Sequence, residues 1–369
     1  MSDLRQGDIL FLFDKETEVN RQWEYQLEKI DFEYEIGNSF SFVKDSKVIN
    51  GTSLKRTIYF PFYVFRKVRR HRPQVILTVE MGLRTIFSLI AGRLYGCKVI
   101  IVSDVTADSE VPPGWFKKKL RTLIVKSADG AIARSNNAKS YLLQVGFDAK
   151  SVVVARYSNN LIGNPAIAAD PHLAELRIES KKFVRERFCF FYCGQFIDRK
   201  GLDLLIDAVE SLPQPVKERV AFIMAGGTEQ QLQELYPGYD KNLFTALGFI
   251  QAGEIGHYYN SADCFILPTR ADSWGLVVNE AVSQGCPVML SKYAGSAGEL
   301  VEDNITGIVF DPLNKQEFIN KLMYCIDNKE TLRNFSICAK ERLKSYSNDN
   351  AAKMMADFIT CTAIQHIKQ

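Results

Sequence analysis

Histidine is scarce in this chain: there are only four, His71, His172, His257 and His366, and they share no motif. Each reads as a surface residue rather than a base, so histidine-driven acid–base chemistry has little to work with. The eight cysteines form no CxxC pair and no metal-ligand spacing. That excludes a zinc-ribbon or disulfide framework and suits reduced thiols in a cytoplasmic protein. No apolar run approaches the roughly 20 residues that span a bilayer, and the polar start Met1–Asp8 is no signal peptide. The expected location is therefore cytoplasmic, with peripheral attachment at the inner face of the cell membrane left open. A net charge of only +3 gives no indication of a nucleic-acid partner. No DxD-type pair is placed for Mg²⁺, so no metal is expected. Short repeats and low-complexity segments are also missing.

What is present is an ordinary globular mixture, 46% hydrophobic and 24% charged, over a length that suits two domains better than one. Short apolar runs alternate with helical patterns. Strands are expected at Ile9–Phe13, Phe32–Ile36, Val75–Val79, Lys98–Val102, Gly130–Ala133 and Ser151–Ala155. Helices are expected at Arg21–Lys29, Arg56–Arg70, Arg84–Tyr95, Trp115–Lys126 and Ala138–Val145. Residues 161–182 break the pattern and read as a linker. A second series follows, with strands at Phe188–Cys193, Val220–Ala225, Phe244–Phe249, Asp263–Leu267, Pro287–Ser291 and Gly307–Phe310. Its helices fall at Leu202–Ser211, Gln230–Leu235, Glu254–Asn260 and Lys315–Ile326, and closing helices run from Lys329 to about His366. This alternation predicts an α/β fold of two doubly wound Rossmann-like domains facing across a cleft. The boundaries are 1–165 and 166–345, with a closing C-terminal helix, 346–369, able to cross back to the N-terminal domain. The cleft is the expected ligand site.

Two stretches carry chemistry. In Leu267–Leu290, Asp272 and Glu280 stand eight positions apart around Gly275, the first on a loop after a strand and the second one turn into a helix. Carboxylates there can accept hydrogen bonds from sugar hydroxyls, and a helix start can face phosphate. In Tyr192–Gly201, Gly194 lets backbone approach a ligand closely, and Arg199 with Lys200 places two cations before a helix, a plausible diphosphate site. Taken singly, Arg199 and Lys200 also fit a solvated turn, and Asp272 also fits a helix cap. Glu280 lies among Val277, Val278, Ala281 and Val282 and needs a partner if buried, which a ribose diol supplies.

In combination these blocks resemble glycosyltransferase family 4, over about residues 186–345. The matching pieces are Gly194 with Arg199–Gly201, the strand end Ala225–Gly227, and Asp272–Glu280 followed by Gly285–Val288. The resemblance implies a GT-B fold and transfer, with retention, of a sugar from a UDP- or GDP-linked donor to a glycan or lipid-linked acceptor. Cell-envelope or exopolysaccharide synthesis is the pathway that family frequency suggests. It implies that Arg199 and Lys200 hold the diphosphate, Glu280 the ribose and Asp272 the transferred sugar. Backbone of Gly226 and of Trp274, Gly275, Leu276 and Val277 would line the donor, and Phe249 and Ile250 would lie against the base. Neither a metal nor any other cofactor is implied.

The sequence departs from the family pattern at three points. Asp272 replaces the usual Glu. Strand one runs into Phe13–Arg21 without the glycine-rich loop, and Val99–Val102 leads to Ser103-Asp104 without the histidine. By position, Asp104 is the residue expected nearest the reacting sugar, with a capping or loop role as the alternative. Glu80 and Arg21 are candidates for acceptor binding. Two basic aromatic segments, Tyr59–Arg72 and Pro112–Arg121, suit either an anionic membrane surface or helices that bury their aromatics. The competing functions are a GT-B nucleotide-sugar epimerase and a non-catalytic nucleotide-sugar-binding partner.

Overall fold

The computed structural model describes residues 9–13, 33–37, 39–47, 53–109, 114–157, 184, 186–251 and 253–367. The expected helix Arg21–Lys29, the acceptor candidate Arg21 and the linker at 161–182 lie outside them. The described residues fall into two compact units, one of residues 9–156 with 349–367 and one of residues 157–348.

In the first unit, β1 (Phe11–Phe13) pairs parallel with β2 (Tyr34–Ile36). An antiparallel pair, β3 (Phe40–Lys47) and β4 (Ser53–Phe60), precedes helix α1 (Tyr63–His71). This corrects the expected helix Arg56–Arg70: its first part is strand. Pro61 is the physical reason, because it restricts the preceding residue to extended backbone and cannot sit inside a helix. Then come β5 (Val75–Val79), α2 (Leu83–Tyr95), β6 (Lys98–Ser103), α3 (Trp115–Ser127), β7 (Gly130–Ala133), α4 (Asn136–Gln144) and β8 (Val152–Val154). These last four strands form one parallel sheet in the order β5-β6-β7-β8. Ile101, Ala131 and Ala133 pack on Ile124, Val125 and Leu142 on one side of it. On the other side Ile100 and Ile132 meet Met355, Phe358 and Ile359 of the last helix.

In the second unit, β9 (Phe188–Cys193), α5 (Leu202–Glu210), α6 (Gln214–Lys217), β10 (Val220–Ala225), α7 (Glu229–Leu235) and β11 (Phe244–Ala246) lead to α8 (Gly256–Ser261) and β12 (Cys264–Leu267). They are followed by α9 (Leu276–Ser283), β13 (Val288–Ser291), β14 (Ile308–Phe310), α10 (Lys315–Asp327) and α11 (Lys329–Leu343). The final helix, α12 (Asn348–Ile367), belongs to the first unit apart from its first residue.

The six strands form one parallel sheet in the order β11-β10-β9-β12-β13-β14. Parallel strands are buried on both faces, which is why they are apolar throughout rather than alternating. Phe188, Phe190 and Tyr192 point to the layer containing Leu205 and Phe318, while Cys189 and Phe191 point to the layer containing Tyr259 and Val278. Truncating a core aromatic such as Phe190, which is fully buried, costs about 3–5 kcal/mol. The strand order reverses between β9 and β12. That is the topological switch point, beyond whose carboxyl ends open α/β sheets bind their ligands.

No helix among the described residues is long and apolar enough to cross a membrane.

Candidate functional site

Both chemistry-bearing stretches of the second unit leave the sheet at its switch point. After β9 the chain turns through Gly194–Ile197 into a single 3₁₀ turn, Asp198–Lys200, and then into α5. Gly201 joins turn to helix at φ +72°, and a Cβ there would stand 1.9 Å from the Pro268 carbonyl oxygen. Only glycine lets the Arg199-Lys200 turn press so closely on the end of β12. Further bonds fasten the two loops together. The amide of Arg270 donates to the Arg199 carbonyl at 2.8 Å, and the Thr269 hydroxyl donates to the same oxygen at 2.9 Å. Arg270 itself grips Asp203 of α5 with both guanidinium nitrogens, at 2.6 and 2.5 Å. That bidentate geometry is the strong form of an ion pair.

The cations are thereby brought onto Asp272. Lys200 Nζ donates to Asp272 Oδ2 at 2.6 Å, and Arg199 Nη1 lies 3.8 Å from the same oxygen. Arg199 is also anchored to the Ala271 carbonyl at 3.0 Å. Asp272 is mostly buried, and burial alone would raise its pKa. The charges of Lys200 and Arg199, the Lys200 hydrogen bond and the Trp274 amide outweigh that and hold it below the usual range. Its backbone is pinned by the Tyr293 carbonyl, and its own carbonyl accepts from Gly295.

Glu280 has a different setting. It lies on the second turn of α9, buried at 8% exposure. The Tyr259 hydroxyl donates to its Oε2 at 3.0 Å. Burial raises its pKa, and the Tyr259 bond pulls partly back. Burial pushes the thiol of Cys193, at the end of β9, up to about 12.

The remaining donor-side candidates divide. Gly226, at φ +112°, lies against Gly194, where a Cβ would come within 2.3 Å of the Gly194 oxygen, so these two backbones touch at the ends of β9 and β10. Gly226 in turn donates to Gly248 at 2.8 Å, which places Phe249 and Ile250 just beyond, with Phe249 38% exposed. Gly275, at φ +82°, opens α9. The amides of Leu276 and Val277 lie in its first turn, where no helical acceptor exists. Trp274 divides its roles between ring and backbone. Its ring is buried, donates to Asn279 at 2.8 Å and packs on Tyr157 and Tyr346, while its amide serves Asp272.

In the first unit, Glu80 and Asp104 follow the ends of adjacent parallel strands, β5 and β6. The Glu80 amide donates to the Val102 carbonyl at 2.9 Å, and Glu80 takes φ +65°, a strained value for a residue with a side chain. Among the described residues no group of three His, Cys, Asp or Glu side chains is arranged to hold a metal ion.

Sequence reasoning missed Tyr259, Thr269 and Arg270. Arg270 and Thr269 stand inside the quoted stretch and only their types could have drawn notice. Tyr259 lies 21 positions from its partner on another helix, so no local pattern signals it.

This geometry can be set beside known proteins. Residues 175–342 match the family model of glycosyl transferases group 1. The sulfoquinovosyl transferase SQD2 of Arabidopsis thaliana is 24% identical over 291 residues, covering 77% of this chain and 56% of that protein. The alpha-monoglucosyldiacylglycerol synthase of Acholeplasma laidlawii is 26% identical over 170 residues, 46% of this chain and 42% of that one. The chain thus spans about half the length of the curated relatives it matches. Among solved structures, the Rickettsia africae glycosyltransferase superposes with a TM-score of 0.70 at 18% identity, over 91% of this chain and 86% of that one. Anabaena HepE, solved with UDP and glucose, gives 0.64 at 20% identity over 81% of each chain. The fold is α/β of the GT-B type, as expected, and the family match supports the expected enzyme class, a glycosyltransferase.

Proposed function

We propose that this protein is a retaining, metal-independent glycosyltransferase of family 4 that moves a sugar from a UDP- or GDP-linked donor to a glycan or lipid-linked acceptor. The observation that carries the reading is the convergence of Lys200, Arg199 and the Trp274 amide on Asp272, on the loop that leads into α9 at the switch point of the second unit. Negative charge develops on the departing diphosphate in the transition state. Preorganised cations and amides aimed at that charge are usually the largest catalytic contribution. Lys200 and Arg199 meet the diphosphate oxygens, Glu280 accepts from the ribose hydroxyls, and Phe249 with Ile250 lies against the base. Asp272 meets a hydroxyl of the transferred sugar. The bond from the anomeric carbon to the diphosphate breaks, the acceptor oxygen bonds that carbon on the same face, and its proton passes to the diphosphate. In the first unit, Asp104 is the residue assigned to the reacting sugar and Glu80 the one assigned to the acceptor.

The named relatives give this reading its direction. SQD2 is a sulfoquinovosyl transferase, the Acholeplasma protein makes a glucosylated diacylglycerol, and HepE has been solved with UDP-glucose. A lipid-linked acceptor, cell-envelope or exopolysaccharide synthesis and a cytoplasmic protein at the inner membrane face follow as parts of the same proposal. Helix α3 supports it: Trp115 (71%) and Leu123 (63%) are exposed beside exposed Lys118, Lys119 and Lys126. An anionic surface attracts each such cation by about 1 kcal/mol. Sedimentation with anionic vesicles, weakened on changing Lys117, Lys118 and Lys119 to Glu, is expected; no binding by the unaltered protein ends the membrane part.

The test of the whole is donor hydrolysis by the purified protein across UDP- and GDP-sugars, with EDTA present. Slow hydrolysis of one donor, lost in Lys200→Ala, is expected. Binding without turnover for every donor and acceptor extract would instead make it a non-catalytic partner, and conversion of the donor to an epimer would make it an epimerase.

A further inference from the structure

Tyr259 is fully buried, and no step so far uses it. Its ring is held edge-on by Phe191 at 5.0 Å and Phe265 at 5.5 Å, from β9 and β12, so the hydroxyl has one place to go. That place is Glu280 Oε2, at 3.0 Å. A tyrosine hydroxyl has a single proton. With it committed to Glu280, the phenol holds the carboxylate from one side. Phenol and carboxylate thus form a buried donor–acceptor pair, in surroundings of low dielectric where such a bond is stronger than in water. The phenol occupies Oε2 and fixes the carboxylate's rotation, with Oε1 as its other acceptor.

We infer that Tyr259 is a positioning residue whose hydroxyl locks Glu280 to grip the ribose hydroxyls of the nucleotide, making the site selective for ribonucleotides over 2′-deoxyribonucleotides. This rests on the donor-site reading above, in which Glu280 faces the ribose. Tyr259 touches no substrate. It acts through Glu280, and its removal weakens only the interaction that Glu280 makes.

Calorimetric affinities for UDP, 2′-deoxy-UDP, GDP and 2′-deoxy-GDP test it. The unaltered protein should favour the ribonucleotide of its preferred base by about 10-fold or more, the worth of a hydrogen bond to a charged group. Tyr259→Phe keeps the ring and its packing. It should narrow that ratio about 3- to 10-fold, through weaker ribonucleotide binding with deoxyribonucleotide binding unchanged. In turnover, the same variant should raise the donor KM while leaving kcat within about 2-fold. In a Glu280→Gln background, Tyr259→Phe should add nothing further.

Equal weakening of both sugar forms would mean that Tyr259 merely holds the core together, and the inference falls. An unchanged ratio overturns it as well. If Tyr259→Phe does not fold, 3-fluorotyrosine placed at position 259 alters the strength of the same bond without removing it: a changed ratio supports the inference and an unchanged one overturns it. If the unaltered protein binds none of the four nucleotides, the donor-site reading itself fails, which is a distinct result from binding without discrimination.

Discussion

Asp272 and Glu280 are eight residues apart on one loop-helix segment, yet they are held in opposite ways. Asp272 is a mostly buried carboxylate surrounded by cations and an amide, and its pKa falls. Glu280 is a buried carboxylate with a phenol for company in apolar surroundings, and its pKa rises. Burial is common to both, so the neighbours decide the sign. One region is built to gather charge and the other to present a hydrogen-bond acceptor. Those are the two demands that a sugar diphosphate and a ribose would make.

The comparison can be broken most severely at the cations. Lys200→Ala should lower kcat/KM for the donor about 10²- to 10³-fold, the range seen when one donor to developing charge is removed. Steady-state kinetics with the preferred donor measure it. A drop of less than 3-fold would leave the charge-gathering half without support. Gly201→Ala should come next. It places a Cβ 1.9 Å from the Pro268 oxygen at a left-handed φ. The expected result is a melting temperature lower by several degrees and donor binding weakened together with it.

Glu280→Gln has a smaller and more selective effect. The ribose preference should shrink by about 10-fold while affinity for inorganic diphosphate stays within 2-fold, as competition assays would report.

The finest test is pH. Asp272 is depressed in the folded state, so its stabilisation is present above the ordinary aspartate range and is lost as pH falls through the folded value. Asp272→Asn should therefore be destabilising at neutral pH, with the deficit shrinking in acid. Glu280 is raised in the folded state. Its charge opposes folding above the raised value, and that opposition fades as pH falls toward the ordinary glutamate range. Without ligand, Glu280→Gln should be the more stable protein at neutral pH, with the gain vanishing in acid. Urea unfolding at a series of pH values reads both, and parallel pH trends of the same sign in the two variants would erase the distinction.

Much of this segment was legible before any coordinates. Phe188–Cys193 and Val220–Ala225 stand at the strand limits expected for them, because a strand buried on both faces is an unbroken apolar run between polar turns. The β3–β4 pair was not legible in the same way. Its basic and aromatic residues before Pro61 suit a helix as well as a strand, and antiparallel pairing is a contact between segments. The same limit applied in the site. Gly194, Arg199, Lys200, Asp272 and Glu280 are read from local spacing, but the closeness of Gly201 to Pro268, the grip of Arg270 on Asp203 and the bond from Tyr259 to Glu280 exist only once distant segments meet.

The central claim is that the switch point of the second unit binds a nucleoside diphosphate through Lys200 and Arg199. Calorimetric titration of UDP and GDP into the unaltered protein and Lys200→Ala, without divalent metal, tests it most directly. The account predicts saturable binding of one nucleotide, weakened at least 10-fold by the substitution. Equal affinity in both proteins, or no binding of either nucleotide, would contradict it.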